Sequence, residues 1–150
     1  MTKGDYAKQL FESGMNCAQA VFCAFSDELG FDKDTALRIS AGFGGGVGRL
    51  REVCGAVSGM TMTLSYKFAC TDPNDRQRKA ALYSLIQRAV GEFKAETGSI
   101  VCRELLGLGG SSAPVPEQRT ETYYKKRPCG ELVRLAADIT EKYIKNGGEI

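Results

Sequence analysis

Histidine and tryptophan are both absent from this chain of 150 residues, and the first absence removes much of the usual chemistry of small proteins. Without histidine there is no Ser-His or Cys-His nucleophile pair, no mixed Cys/His zinc site and no histidine ligand for haem. Any metal chemistry falls to sulfur and carboxylate. A charge excess is missing too: 20 Lys and Arg face 18 Asp and Glu, so no strong field draws the chain to nucleic acid or an anionic membrane. Long apolar runs are also lacking. No uncharged stretch is longer than residues 53–66, which is too short to insert in a membrane and contains Ser, Thr and Gly. The first residues carry Lys3, Asp5, Lys8 and Glu12, where a signal peptide would need an apolar segment. These absences lead us to expect a cytoplasmic protein. In that compartment thiols stay reduced, and cysteines serve more often as metal ligands or redox groups than as structural bridges.

What is present suffices for one domain, residues 1–150. A hydrophobic fraction of 43% supplies a core that needs no disulfide staples. The periodicity is helical nearly throughout. Helices are expected over residues 5–13, then from an Asn16 cap to about Leu29, and from an Asp34 cap to about Phe43. A largely apolar helix follows over 52–68, although Thr61 to Ser65 alternates as a short strand would. The Asp72-Pro73-Asn74-Asp75 turn opens a helix to Thr97, with Ala80, Leu82, Tyr83, Leu85, Ile86, Ala89, Val90 and Phe93 as its apolar stripe. Ser99 caps a short helix to Leu106. Residues 107–118, rich in Gly, Ser and Pro, read as a mobile loop. A last helix starts at Pro128 and runs to about Lys145. The expected fold is all-α, a single compact bundle of about six or seven helices. Alternating strand–helix units are missing, which argues against a thioredoxin fold.

The chain has six cysteines. Cys17, Cys54, Cys102 and Cys129 each fall in the first turn of an expected helix. Unpaired N–H groups and the positive end of the helix dipole favour a thiolate there, the form that metals and redox exchange require. Cys23 lies mid-helix among Val21, Phe22 and Phe25, and Cys70 lies at a helix end, so both read as packing residues. No C-x-x-C occurs, which excludes zinc-ribbon and ferredoxin-type runs, but ligands can also converge from separate helices. Simple burial of all four is the competing reading.

The segment Gly42-Phe43-Gly44-Gly45-Gly46-Val47-Gly48-Arg49 matches neither G-x-G-x-x-G nor a phosphate-binding loop ending in Gly-Lys-Ser/Thr. Its glycines allow the backbone to approach a cofactor or another helix closely, just before Cys54. Gly44, Gly45, Gly46, Gly48 and Gly55 are therefore candidate cofactor-binding positions. Arg49 or Arg51 could offset the negative charge of a thiolate cluster. Gly55 and Gly59 each cost a helix about 1 kcal/mol relative to Ala, a cost that close packing would offset.

Cys17, the glycine segment leading to Cys54-Gly55-Ala56-Val57-Ser58-Gly59, then Cys102 and Cys129 together resemble the C_GCAxxG_C_C family of redox-active proteins. Its members are usually bacterial or archaeal, and the resemblance covers nearly the whole chain. It implies that Cys17, Cys54, Cys102 and Cys129 are the family's four cysteines and that Cys23 and Cys70 are extras. The family is similar to the N-terminal domain of split-Soret cytochrome c, a helical domain associated with an iron–sulfur cluster. This chain has no C-x-x-C-H haem-attachment sequence, so only the cluster half of that likeness carries over. The leading expectation is an electron-transfer or redox-sensing protein with the four cysteines as metal ligands of an iron–sulfur cluster. The alternatives are metal-free thiol–disulfide chemistry and a structural tetrathiolate zinc site. A redox partner protein of unknown identity is implied, and an apolar helix surface would admit a homodimer. Nothing in the sequence decides whether the protein is an enzyme.

Overall fold

The computed structural model describes residues 1–149. Its helices are α1 (Lys3–Glu12), α2 (Cys17–Ala24), α3 (Ser26–Leu29), α4 (Lys33–Ser40), α5 (Gly55–Phe68), α6 (Arg76–Thr97), α7 (Cys102–Leu106), α8 (Glu121–Lys126) and α9 (Cys129–Lys145). The all-α bundle expected from periodicity is the observed fold. Among the described residues, no helix is long and apolar enough to cross a membrane.

Helix starts follow side-chain chemistry. Thr2 and Asp5 form a reciprocal capping box on α1, and Asn16 and Gln19 form another on α2. Asp32, not Asp34, caps α4: its carboxylate accepts the Thr35 N–H at 2.8 Å and the Thr35 hydroxyl at 2.7 Å. The helix expected from Asn16 to Leu29 breaks at Phe25, where the Ser26 hydroxyl donates to the Cys23 carbonyl at 2.9 Å. Thr61 to Ser65, alternating in sequence, lies wholly within α5. Helix α8 interrupts the long connection before Pro128 and carries no apolar period that would reveal it.

The core gathers around α5. Helix α9 turns Leu132, Val133, Ala136, Ala137, Ile139 and Tyr143 inward, α2 contributes Ala18, Val21 and Phe22, and α5 adds Met60 and Leu64. Each fully buried large apolar side chain contributes about 1.5–3 kcal/mol relative to exposure. Helix α1 packs on α9, where Asp138 accepts the Gly4 N–H at 2.9 Å. Helix α6 buries only Leu85, Ala89 and Phe93 deeply. Its first turns run past the body of the bundle, which leaves Ala80 and Tyr83 of the expected stripe exposed.

Gly55 and Gly59, one helical turn apart, give α5 a bare strip against α2. A Cβ on Gly59 would sit 2.8 Å from the Ala18 carbonyl oxygen and 2.9 Å from Val21 Cβ. On Gly55 it would sit 3.1 Å from both Ala18 N and Cys17 Cβ. The cost of glycine in this helix is offset by that approach. Gly59→Ala should destabilise the protein by about 1–3 kcal/mol through overpacking. Gly91→Ala, in α6 with nothing near its Cβ, should stabilise by about 0.5–1 kcal/mol. Urea unfolding of the two variants measures both signs.

Candidate functional site

Residues 44–54 hold the most unusual backbone in the molecule. Gly45, Gly46 and Gly48 have positive φ, and so do three non-glycines: Val47 (67°), Arg49 (68°) and Arg51 (63°). Left-handed backbone costs an L-residue roughly 1–2 kcal/mol, and a β-branched valine is especially disfavoured there. The loop is held by its own hydrogen bonds, from Gly48 N to Gly42 O (2.9 Å), Arg51 N to Gly45 O (3.1 Å) and Glu52 N to Gly46 O (2.9 Å). Strain of this kind persists where surrounding structure over-determines it, commonly at functional sites.

Past this loop the chain runs briefly extended and pairs with the residues before α7 through one antiparallel bridge, Val53 to Val101. Cys54 N donates to Ile100 O at 2.7 Å, Cys102 N to Glu52 O at 2.6 Å and Arg103 N to Arg51 O at 3.1 Å. This pairing explains why α5 starts at Gly55 and not at Glu52, and it sets Cys54 and Cys102 diagonally across the pair, each one residue beyond the Val53–Val101 bridge. It also corrects the cap of α7. Val101 occupies that position, while the Ser99 hydroxyl accepts Val101 N at 2.9 Å and donates to Glu104 at 2.6 Å. Gly46 is bare because a Cβ there would meet Cys102 Cβ at 2.6 Å.

Cys17, Cys54, Cys102 and Cys129 all line one cavity of about 290 Å3. The first residues of α2, α7 and α9 are Cys17, Cys102 and Cys129, and Cys54 is the residue immediately before α5. Gly44, Gly45, Gly46, Gly48, Gly55, Arg49 and Arg51 contribute to the same wall. Cys23 and Cys70 do not. Cys23 is buried within α2, and the Cys70 thiol donates to the Asp72 carbonyl at 3.4 Å. Among the described residues, no three Cys, Asp or Glu side chains converge closely enough to hold one metal ion. A tetrahedral thiolate site with bonds near 2.3 Å would need sulfurs about 3.8 Å apart. The four sulfurs are therefore spread around a cavity and not gathered on a point.

The four thiols are not equivalent. Burial pushes Cys54 up to about 12, although its sulfur accepts the Val57 and Ala56 N–H groups at the head of α5. Desolvation thus outweighs the helix N-terminus at this position. The Cys17 thiol donates to the Cys129 sulfur; that bond and burial raise Cys17 well above the ordinary thiol range. The same bond lowers Cys129, helped by the Arg127, Arg119 and Arg51 guanidinium groups and opposed by burial. The helix-position argument, which treats all four as thiolate-prone, leaves out this desolvation.

Arg119, Arg127, Tyr123 and the connection before α8 also belong to the site, and the sequence reading missed them. Pro114, Pro116, Glu117 and Arg119 line the cavity, so residues 107–120 form a strap along it. Arg49 Nε donates to Ala113 O at 2.6 Å, Arg51 Nε to Ser112 Oγ at 2.9 Å, and Arg127 pairs with Glu117 at 2.5 Å. Arg119 donates to the Phe11 and Met15 carbonyls, each at 3.1 Å, with its guanidinium over the Phe11 ring. Arg127, two residues before Cys129, was the one such group the sequence could have flagged.

A family model described as "Putative redox-active protein (C_GCAxxG_C_C)" matches residues 15–143, a span that holds all four cavity cysteines. No curated protein and no solved structure matches the chain.

The inequality of the thiols has a direct readout. In metal-free protein under limiting iodoacetamide at about pH 8, Cys129 should be labelled well before Cys54. Cys54 should approach full reactivity only as the pH nears 12, where its thiol ionises. Peptide mass mapping across a pH series measures the order, and equal rates for Cys54 and Cys129 would contradict it.

Proposed function

Given that the chain belongs to the C_GCAxxG_C_C family, we propose that it is a redox protein whose Cys17, Cys54, Cys102 and Cys129 hold an iron–sulfur cluster for electron transfer or redox sensing. The observation that carries this reading is the arrangement of four cysteines from four separate helix starts around one cavity. The donor set fits the group: it is four cysteine sulfurs, the usual ligands of such clusters. A cavity of about 290 Å3 lined by four cysteines, no three of which meet on one point, suits a polynuclear group better than a single zinc ion. Bound there, the cluster would supply one-electron chemistry.

The chain's own residues have definable tasks in this reading. The helix starts present the thiolates, and the Ala56 and Val57 N–H groups donate to the Cys54 sulfur. Hydrogen bonds to ligand sulfurs and nearby positive charge both raise the reduction potential of such a group. Arg51, Arg119 and Arg127 bring that charge to the sulfurs. Bare glycines at 46 and 55 leave the room, because any side chain at either would press on Cys102 or Cys17.

The hydrogen bond from Cys17 to Cys129 favours a second reading, metal-free thiol–disulfide exchange. In that case Cys17 and Cys129 would join as a disulfide, giving two electrons and two protons to a partner disulfide that leaves as two thiols. Anaerobic purification with iron and sulfide analysis and a visible spectrum separates the two. The cluster reading expects a coloured protein with stoichiometric iron and sulfide, lost in Cys54→Ala; a colourless protein that also fails reconstitution contradicts it. The exchange reading expects mild oxidation of metal-free protein to remove two free thiols, those of Cys17 and Cys129. An unchanged thiol count would contradict that.

A further inference from the structure

Arg51 is the most constrained charged residue in the molecule. It is only 5% exposed, and its φ of 63° is one few side-chain-bearing residues adopt. Its N–H is bound by Gly45 O at 3.1 Å. Its carbonyl accepts both the backbone N–H and the Nη1 of Arg103, at 3.1 and 3.3 Å. So fixed, its guanidinium forks: Nη1 donates to Cys102 Sγ at 3.6 Å, and Nε donates to Ser112 Oγ of the strap at 2.9 Å.

A guanidinium stays charged at any physiological pH, and burying it without a counter-charge is costly. Of the other arginines lining the cavity, Arg49 and Arg127 share the Glu117 carboxylate, and the half-buried Arg119 is met by the Phe11 and Met15 carbonyls and the Phe11 ring; Arg103 nearby pairs with Glu52. Among the described residues no carboxylate lies within 4.0 Å of Arg51. The acceptor able to carry negative charge that its guanidinium bonds is the Cys102 sulfur, at 3.6 Å, which carries that charge whenever it ligates a metal. The other fastenings of the strap run through no sulfur: Leu108 N to Arg103 O, Ser112 N to Arg49 O, Arg49 Nε to Ala113 O, Arg127 to Glu117, and Arg119 to the Phe11 and Met15 carbonyls.

We propose that Arg51 is a positioning residue that couples the Cys102 sulfur to the strap, so that filling the cavity with a thiolate-ligated group tightens residues 107–120 over it. The coupling rests on the cluster reading for its natural trigger, but its parts are the fork, the sulfur and the Ser112 hydroxyl. A ligated Cys102 sulfur fixes the Nη1 end of the guanidinium by a charge-assisted bond. The planar fork then holds Nε in register for Ser112. An unligated thiol holds that end only by the weaker bond of 3.6 Å, and a displaced or missing sulfur releases it, so the strap is looser without the group. Lysine in place of Arg51 would supply the charge without the two-ended geometry.

Hydrogen–deuterium exchange of peptides spanning 107–120 tests this, with iron and sulfide content measured on the same samples. In the wild-type protein, loading should slow strap exchange by about tenfold, the scale of one charge-assisted hydrogen bond. Ser112→Ala should load the same iron and sulfide, yet its strap should exchange equally fast loaded and unloaded, and faster than the unloaded wild type. Arg51→Lys should likewise leave the strap fast, and its reduction potential should lie nearer the wild-type value than that of Arg51→Gln. Equal slowing on loading in Ser112→Ala, or no slowing in the wild type, overturns the coupling. Should no sample take up iron, the cluster reading fails by itself. The coupling is then decided in metal-free protein, where Cys102→Ala should accelerate strap exchange to the Ser112→Ala rate, and an unchanged rate overturns it.

Discussion

Helices α2 and α5 meet at a distance that only glycine permits, and this contact does two jobs together. It closes the centre of the bundle, because Gly59 lies against the Ala18 carbonyl and Val21. It also sets the first residue of α2 beside the first residue of α5, since a Cβ on Gly55 would touch Cys17 Cβ at 3.1 Å. Cys17 therefore comes beside the Cys54 end of α5 as a consequence of core packing. The Val53–Val101 bridge then adds Cys102, and α9, packed along α5 and α1, adds Cys129. A site assembled in this way needs no short cysteine motif. Its spacing in sequence is set by the lengths of the helices between its members.

Within the cavity, three forces compete over the same sulfurs. Helix N-termini favour thiolate, burial favours thiol, and arginines favour thiolate again. Burial wins at Cys54, which is pushed up to about 12. At Cys129 the Cys17 hydrogen bond and three arginines prevail over burial. A metal-free cavity of this kind holds its protons unevenly. Ligation of all four sulfurs would release those protons and leave a thiolate-ligated group of net negative charge, which suits a site already lined by arginine.

Much of the fold was legible in the sequence, because apolar residues recur at helical spacing and caps such as Asn16 and Asp75 are local signals. Membership of the four cysteines in one class was legible too, from their common place at helix starts. What escaped the sequence depended on pairing across distance. The extended pairing of residues 51–54 with 100–103 delays the start of α5, and no local propensity announces it. The exposed first turns of α6 show the reverse limit: Ala80 and Tyr83 have the right period, but no neighbour reaches that far. Arg119 lies in a segment of Gly, Ser and Pro with no periodicity, so only the folded chain shows it stacked on Phe11 and set along the cavity.

The central claim is that four cysteines, and not six, surround one polynuclear group. Native mass spectrometry of the protein purified and reconstituted without oxygen tests it most directly. The account predicts a mass increment of iron plus sulfide on the wild-type chain. The increment should persist in Cys23→Ala and Cys70→Ala and disappear when any one of Cys17, Cys54, Cys102 or Cys129 is replaced by alanine. A bare chain mass for the wild type, or an increment that survives loss of two of those four, would contradict it.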